Sequence, residues 1–143
     1  MNTAMADSIG CGGVPPLSAP RAHARLALVV DDSPCLAEQL TQLLAAVGLQ
    51  AHVPRDPDEL RALAPQAALI CIELEQFEAN GFDLARELSA VCTSPLVLVS
   101  GTGRSSDLQW GLRAGAGAVL RRPLTEAALR AALAHAGLAD IAR

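Results

Sequence analysis

Five times from Arg25 onward, a short run, apolar at least up to its last residue in every case but the second, is followed by a segment whose apolar residues recur every three or four positions. The runs are LALVV (26–30), LQAHV (49–53), ALICI (68–72), PLVLVS (95–100) and AVL (118–120). The segments between and after them are DDSPCLAEQLTQLLAAVG, DPDELRALA, GFDLARELSAV, SSDLQWGLRA and LTEAALRAALAHA. A strand without polar alternation has no face to give to water, so both faces of its sheet must be covered. Strands that alternate with amphipathic helices meet that demand as a parallel sheet with helices on both sides. The pattern predicts an α/β fold, a doubly wound five-stranded parallel sheet with five helices.

The helix boundaries carry their own chemistry. Ser33 is placed to cap the first helix, Pro34 fits its first position, and Gly48 lies just past its end. Leu36, Leu40, Leu43, Leu44 and Val47 form its core face. Asp56 and Pro57 repeat the cap-then-proline signal for the second helix.

With 143 residues, the chain is long enough for one domain with a real core. A net charge of -4 gives no general pull toward nucleic acid or an anionic membrane. No apolar run reaches the roughly 18 residues of a membrane span, and the first residues lack the basic and apolar regions of a secretory signal. A cytoplasmic protein without membrane insertion or nucleic-acid partner is expected. Residues 1–24, rich in Gly, Pro, Ala and Ser, read as a flexible leader in which either Met1 or Met5 is the start. Residues 25–139 then form the domain and 140–143 a tail. Cys11, Cys35, Cys71 and Cys92 show no metal-ligand spacing and read as reduced thiols. His23, His52 and His135 read as surface histidines. Every basic residue is Arg, with no Lys in the chain.

In doubly wound sheets ligands bind beyond the carboxyl ends of the strands. Those ends carry Asp31 and Asp32 after the first strand, Glu73 after the third, Ser100 after the fourth and Arg122 after the fifth. The absence of a GxGxxG after the first strand disfavours a dinucleotide. Three carboxylates are a hard-oxygen set suited to Mg²⁺; without a cation they repel one another, unless Arg122 balances one. Ser100 is placed to donate to an anion such as a phosphoryl oxygen. The alternative is that these acids only cap helices, although Ser33 already serves the first one.

At these residues the chain resembles the CheY-like receiver domains of two-component response regulators. The matching text is VVDDSP, the carboxylate of Glu73 with NG downstream, VLVSG and RRP. The stretches NGFDLAREL and LQWGLRAGA are similar to stand-alone receivers of type IV pilus twitching-motility systems (PilH-like). The resemblance implies a flavodoxin-like strand order of 2-1-3-4-5. It also implies Mg²⁺ held by Asp31, Asp32, the acceptor and the Glu75 carbonyl, a phosphate and switch region at Ser100, Gly101 and Arg122, and a cis bond before Pro123. The family's phosphoacceptor is an aspartate, and here that position is Glu73. Its lysine is Arg122, a loop proline is Phe77, and an aromatic switch residue is Val119.

The added methylene displaces the carboxylate by about an ångström, enough to cost about 10²-fold in rate. It also moves charge toward the place of a phosphoryl group, where a guanidinium forms a planar two-pronged contact. These substitutions point to a non-enzymatic, atypical response regulator with Mg²⁺ weakly bound or absent. It acts by protein contact with a histidine kinase, a chemosensory scaffold or a pilus component. A slow but functional Mg²⁺-dependent phosphoacceptor is the second reading, and a small-ligand module or enzyme on the same fold the third. The resemblance places the partner surface at the fourth helix, fifth strand and fifth helix, with Trp110, Arg113, Val119, Arg121 and Arg130. Trp110 is either an exposed anchor or packed into the fourth helix's groove. Nothing after Leu138 is long enough for a DNA-binding output domain, so the expectation is action through this surface.

Overall fold

The computed structural model describes residues 25–75, 80–101 and 105–142. The leader expected at 1–24 and Phe77 lie outside them. The elements run β1 (Arg25–Val30), α1 (Pro34–Ala46), β2 (Leu49–His52), α2 (Pro57–Leu63), β3 (Leu69–Glu73) and α3 (Gly81–Val91), then β4 (Leu96–Ser100), α4 (Ser105–Arg113), β5 (Ala118–Arg121), α5 (Glu126–His135) and α6 (Ala139–Ala142). All strand pairs are parallel, and the sheet order is β2-β1-β3-β4-β5.

Caps close the helices where their residues stand. Ser33 Oγ accepts from Leu36 N–H and Asp56 Oδ1 from Glu59 N–H, while Gly48 takes the positive φ of 88° past α1. Asn80 caps α3 by accepting from Phe82 N–H and Asp83 N–H. Gly81 follows because no larger residue fits: a Cβ there would stand 2.7 Å from Leu74 Cα and 2.8 Å from the Glu73 carbonyl oxygen.

The two faces of the sheet sort by parity, since successive side chains of a strand point to opposite sides. Ala27, Val29, Leu69, Cys71, Val97, Val99, Ala118 and Leu120 join α1 and α5 in one core. Leu28, Ile70, Ile72, Leu96 and Leu98 join α2 and α3 in the other. This separation is what positions the site below, because each strand's parity continues into its polar end.

One expectation is corrected at the carboxyl end of the chain. Residues 140–143, read as a tail, include most of the sixth helix, α6. Leu138 and Ile141 sit three apart and pack onto the α1–α5 core, and Asp140 pairs with Arg25 at 2.9 Å. The helix is too short for periodicity to reveal it. Smaller differences fall at element ends: β2 stops at His52, leaving Val53 42% exposed.

Cys71, in the middle of β3, is buried, and burial pushes its thiol up to about 12. Cys35 is exposed. We expect iodoacetamide at mildly alkaline pH to alkylate Cys35 and leave Cys71 untouched until denaturant is added, as read by peptide mass mapping. Labelling of Cys71 at the rate of Cys35 would contradict this packing.

Candidate functional site

The carboxyl ends of β1, β3 and β5 carry an ion-pair cluster. Continuing the strand parity, Asp31 and Glu73 project toward the α1–α5 side. Arg122, one residue beyond β5 and in step with Ala118 and Leu120, does the same. Their side chains are 3%, 5% and 15% exposed. Arg122 Nη2 donates to Glu73 Oε1 at 2.7 Å and to Asp31 Oδ2 at 3.2 Å. Its Nε donates to the same Glu73 oxygen at 3.2 Å. The guanidinium fork therefore closes on one carboxylate oxygen and spans to a second acid. A long contact of 3.5 Å from Nη1 to Gln39 Oε1 ties it to α1.

The remaining oxygens are also engaged. Asp31 Oδ1 accepts from Ser33 N–H at 2.9 Å, and Glu73 Oε2 accepts from Glu75 N–H at 3.2 Å. Burial pushes the Asp31 carboxyl above the ordinary aspartate range, the Ser33 N–H opposes that rise, and the charge of Glu73 adds to it. A cation beside these acids offsets the cost of burying them, and Arg122 is that cation.

This arrangement differs from the carboxylate cluster expected for Mg²⁺. All four oxygens of Asp31 and Glu73 accept hydrogen bonds, and the guanidinium lies between the two acids. Among the described residues no group of three His, Cys, Asp or Glu side chains is placed to hold a metal ion. In this geometry the residues do not fit a divalent ion. Asp32 has the opposite parity from Asp31, and both line a crevice of about 360 Å³ with Val53, Pro54, Leu60 and Leu84.

Ser100 also has the opposite parity. It is fully buried, and its hydroxyl donates to Asp107 Oδ2 in the first turn of α4 at 2.7 Å. Its carbonyl accepts from the Arg122 N–H at 3.0 Å. Gly101 meets Glu75, whose Oε1 would lie 2.9 Å from a Cβ at that position. The Arg122–Pro123 peptide is cis. His52 holds Nε2 3.3 Å from Glu59 Oε1, outside the cluster.

The expected partner surface divides in two. Val119 and Arg121 line a groove of about 510 Å³ with Leu108 and Leu112 of α4 and Ala128, Ala131 and His135 of α5. Trp110 and Arg113 do not line it, since on a helix they stand about 100° or more from Leu108 and Leu112. Trp110 is 53% exposed with the Arg113 guanidinium 5.7 Å from its ring centroid, so it is not packed into a groove. Arg130 pairs with Glu126 along α5. Asp107 and Gln39 were not legible as site residues: each looks like any polar residue on a helix, and only the fold brings it to a strand end.

Residues 27–134 match the response regulator receiver domain family. Protein PilH of Pseudomonas aeruginosa is 30% identical over 107 residues, covering 71% of this chain and 88% of PilH. The DNA-binding response regulator MtrA of Mycolicibacterium smegmatis is 34% identical over 100 residues, covering 67% of this chain but 43% of MtrA. The chain thus matches less than half the length of that relative. Among solved structures, a receiver domain protein from Clostridium thermocellum superposes with a TM-score of 0.69 at 20% identity, covering 81% of this chain and 95% of that one. A CheY-like receiver domain from Methylobacillus flagellatus gives 0.66 at 28% identity, covering 79% and 98%.

Proposed function

The chain belongs to the response regulator receiver domain family, and from that premise we propose that it is an atypical receiver that signals by protein contact without accepting a phosphoryl group. The family is one of signalling proteins. The observation that carries the reading is the guanidinium of Arg122, 2.7 Å from Glu73 and 3.2 Å from Asp31. In this reading Glu73 stands at the phosphoacceptor position and Arg122 supplies the positive charge that a divalent ion and a lysine otherwise share. The acid's extra methylene and the base's planar fork are complementary changes, each keeping its charge while closing the distance between them. Glu73 is then held permanently in an ion pair.

The likeness to PilH supports a place in type IV pilus twitching motility, in the cytoplasm, with a histidine kinase or a chemosensory or pilus scaffold protein as partner. The groove between α4 and α5 is the contact surface. It is apolar, walled by the half-exposed Leu108 and Leu112, and a desolvated apolar centre is where binding energy concentrates. Titration against the candidate kinase and scaffold tests this. The partner's affinity is expected to be the same with and without acetyl phosphate and Mg²⁺, and to fall about tenfold or more for Leu112→Asp, which places a charge in the groove. Affinity that rises with the phosphodonor, or that ignores Leu112→Asp, would overturn the reading.

A further inference from the structure

Helix α4 is held to the body of the protein by very little apolar packing. Its residue facing β4 and β5 is Gly111, so close that a Cβ would stand 2.7 Å from Val119 Cγ2 and 3.0 Å from Leu98 Cδ1. Its large apolar residues, Leu108, Trp110 and Leu112, are each about half exposed. The helix is instead pinned at its two ends by polar contacts. Just past the carboxyl end, the Ala114 carbonyl accepts from Ser89 Oγ of α3 at 3.2 Å. At the amino end, Asp107 Oδ2 accepts from the buried hydroxyl of Ser100 at 2.7 Å. An element with few buried apolar contacts opens at low free energy, and a hydrogen bond to a charged group is among the strong ones. The amino-end contact therefore carries a large share of what places this helix.

We propose that Asp107 is a positioning residue, which latches the first turn of α4 to the end of β4 through Ser100 and so sets the surface that α4 presents. The latch is joined to the acid cluster by backbone, because the Ser100 carbonyl accepts from the N–H of Arg122, whose side chain holds Glu73 and Asp31. A contiguous path thus runs from the buried carboxylates through Arg122 and Ser100 to Asp107, and onward to Leu108 and Trp110 within a turn. It gives the hydroxyl of Ser100 a use inside the protein: parity turns it away from Glu73 and toward α4. The inference relies on the function proposed above only for what the α4 surface does; the latch itself is a property of the isolated chain.

Asp107 also favours α4 simply by its charge in the first turn, near the positive end of the helix dipole, so the test must separate the two effects. The full chain is compared as wild type, Ser100→Ala, Asp107→Ala, the double variant and Asp107→Asn, with hydrogen exchange of the α4 amides and Trp110 emission as readouts. If the bond is the latch, Ser100→Ala and Asp107→Ala each speed α4 exchange about tenfold or more and shift Trp110 emission, while exchange in β1 and β3 is unchanged. The double variant then adds little to either single, and Asp107→Asn, which keeps an acceptor oxygen, retains part of the protection. A silent Ser100→Ala beside an active Asp107→Ala would leave only the dipole and overturn the latch. Uniform acceleration across all elements would make the bond general core cement and overturn it equally. No phosphodonor or partner enters these measurements, so failure here and failure of the phosphate-independent reading are told apart.

Discussion

Incubated with acetyl phosphate and Mg²⁺, the chain is expected to keep its mass. Phosphoryl transfer to a carboxylate depends on positioning and on positive charge at the transferring group. Here the Glu73 oxygen nearest the cluster already accepts two N–H donors of Arg122, at 2.7 and 3.2 Å. Its other oxygen accepts from Glu75 N–H. An attacking oxygen must first lose those bonds, and the added methylene places it about an ångström off line, which alone costs about 10²-fold. The informative variant is Glu73→Asp with Arg122→Lys. Shortening the acid and replacing the fork by a flexible ammonium opens the crevice between Asp31 and position 73. That double variant is expected to gain the mass of one phosphoryl group, only when Mg²⁺ is present. Intact-mass spectrometry reads both results. A stoichiometric phosphoryl adduct on the wild-type chain that disappears in Glu73→Ala would sink the proposal.

The second large effect is on stability. Removing one partner from a buried ion pair leaves an uncompensated charge and costs about 3–5 kcal/mol. Arg122→Ala leaves two such carboxylates, at 3% and 5% exposure, facing each other without a cation. It is expected to lower the stability by about 3–5 kcal/mol, a large part of what a domain of this size possesses. The variant also restores the hard-oxygen set that Mg²⁺ takes. Millimolar Mg²⁺ is therefore expected to raise the Tm of Arg122→Ala and to leave the wild type unmoved. Denaturant titration and thermal melts measure both. A variant as stable as the wild type would mean that Arg122 merely rests on these acids, and a wild-type Tm that climbs with Mg²⁺ would show the guanidinium to be displaced.

These expectations hang on Glu73, the charged end of an apolar strand, and the sequence pointed to it as strongly as to any residue. The strand runs ALICI into a carboxylate, and a charge at that place has no structural excuse unless something opposite answers it. Arg122 was nameable as the answer because it closes the fifth strand. The face each end residue takes was written in the strands as well: counting by two from the apolar core puts Asp31, Glu73 and Arg122 on one side and Asp32 and Ser100 on the other. By that count the hydroxyl of Ser100 faces α4, where it donates to Asp107. Trp110, Arg113, Val119 and Arg121 were joined as one surface by the family resemblance, which names whole elements and not the angle around a helix.

The sequence by itself determined the α/β class, the parallel sheet, the caps Ser33 and Asp56, and the identity of the charged strand ends. All of these follow from local chemistry, from repeat period and from side-chain hydrogen bonds a few residues long. Tertiary structure alone decided that Arg122 spans two acids from a strand two places away from Glu73. It alone decided that Gln39 and Asp107 are the outlying contacts, and that a sixth helix closes onto α5. The contacts of Arg122 rest on distances between residues separated by 49, 83 and 91 positions. Such distances are set by how twisted strands and helices pack, and no short window of sequence contains them.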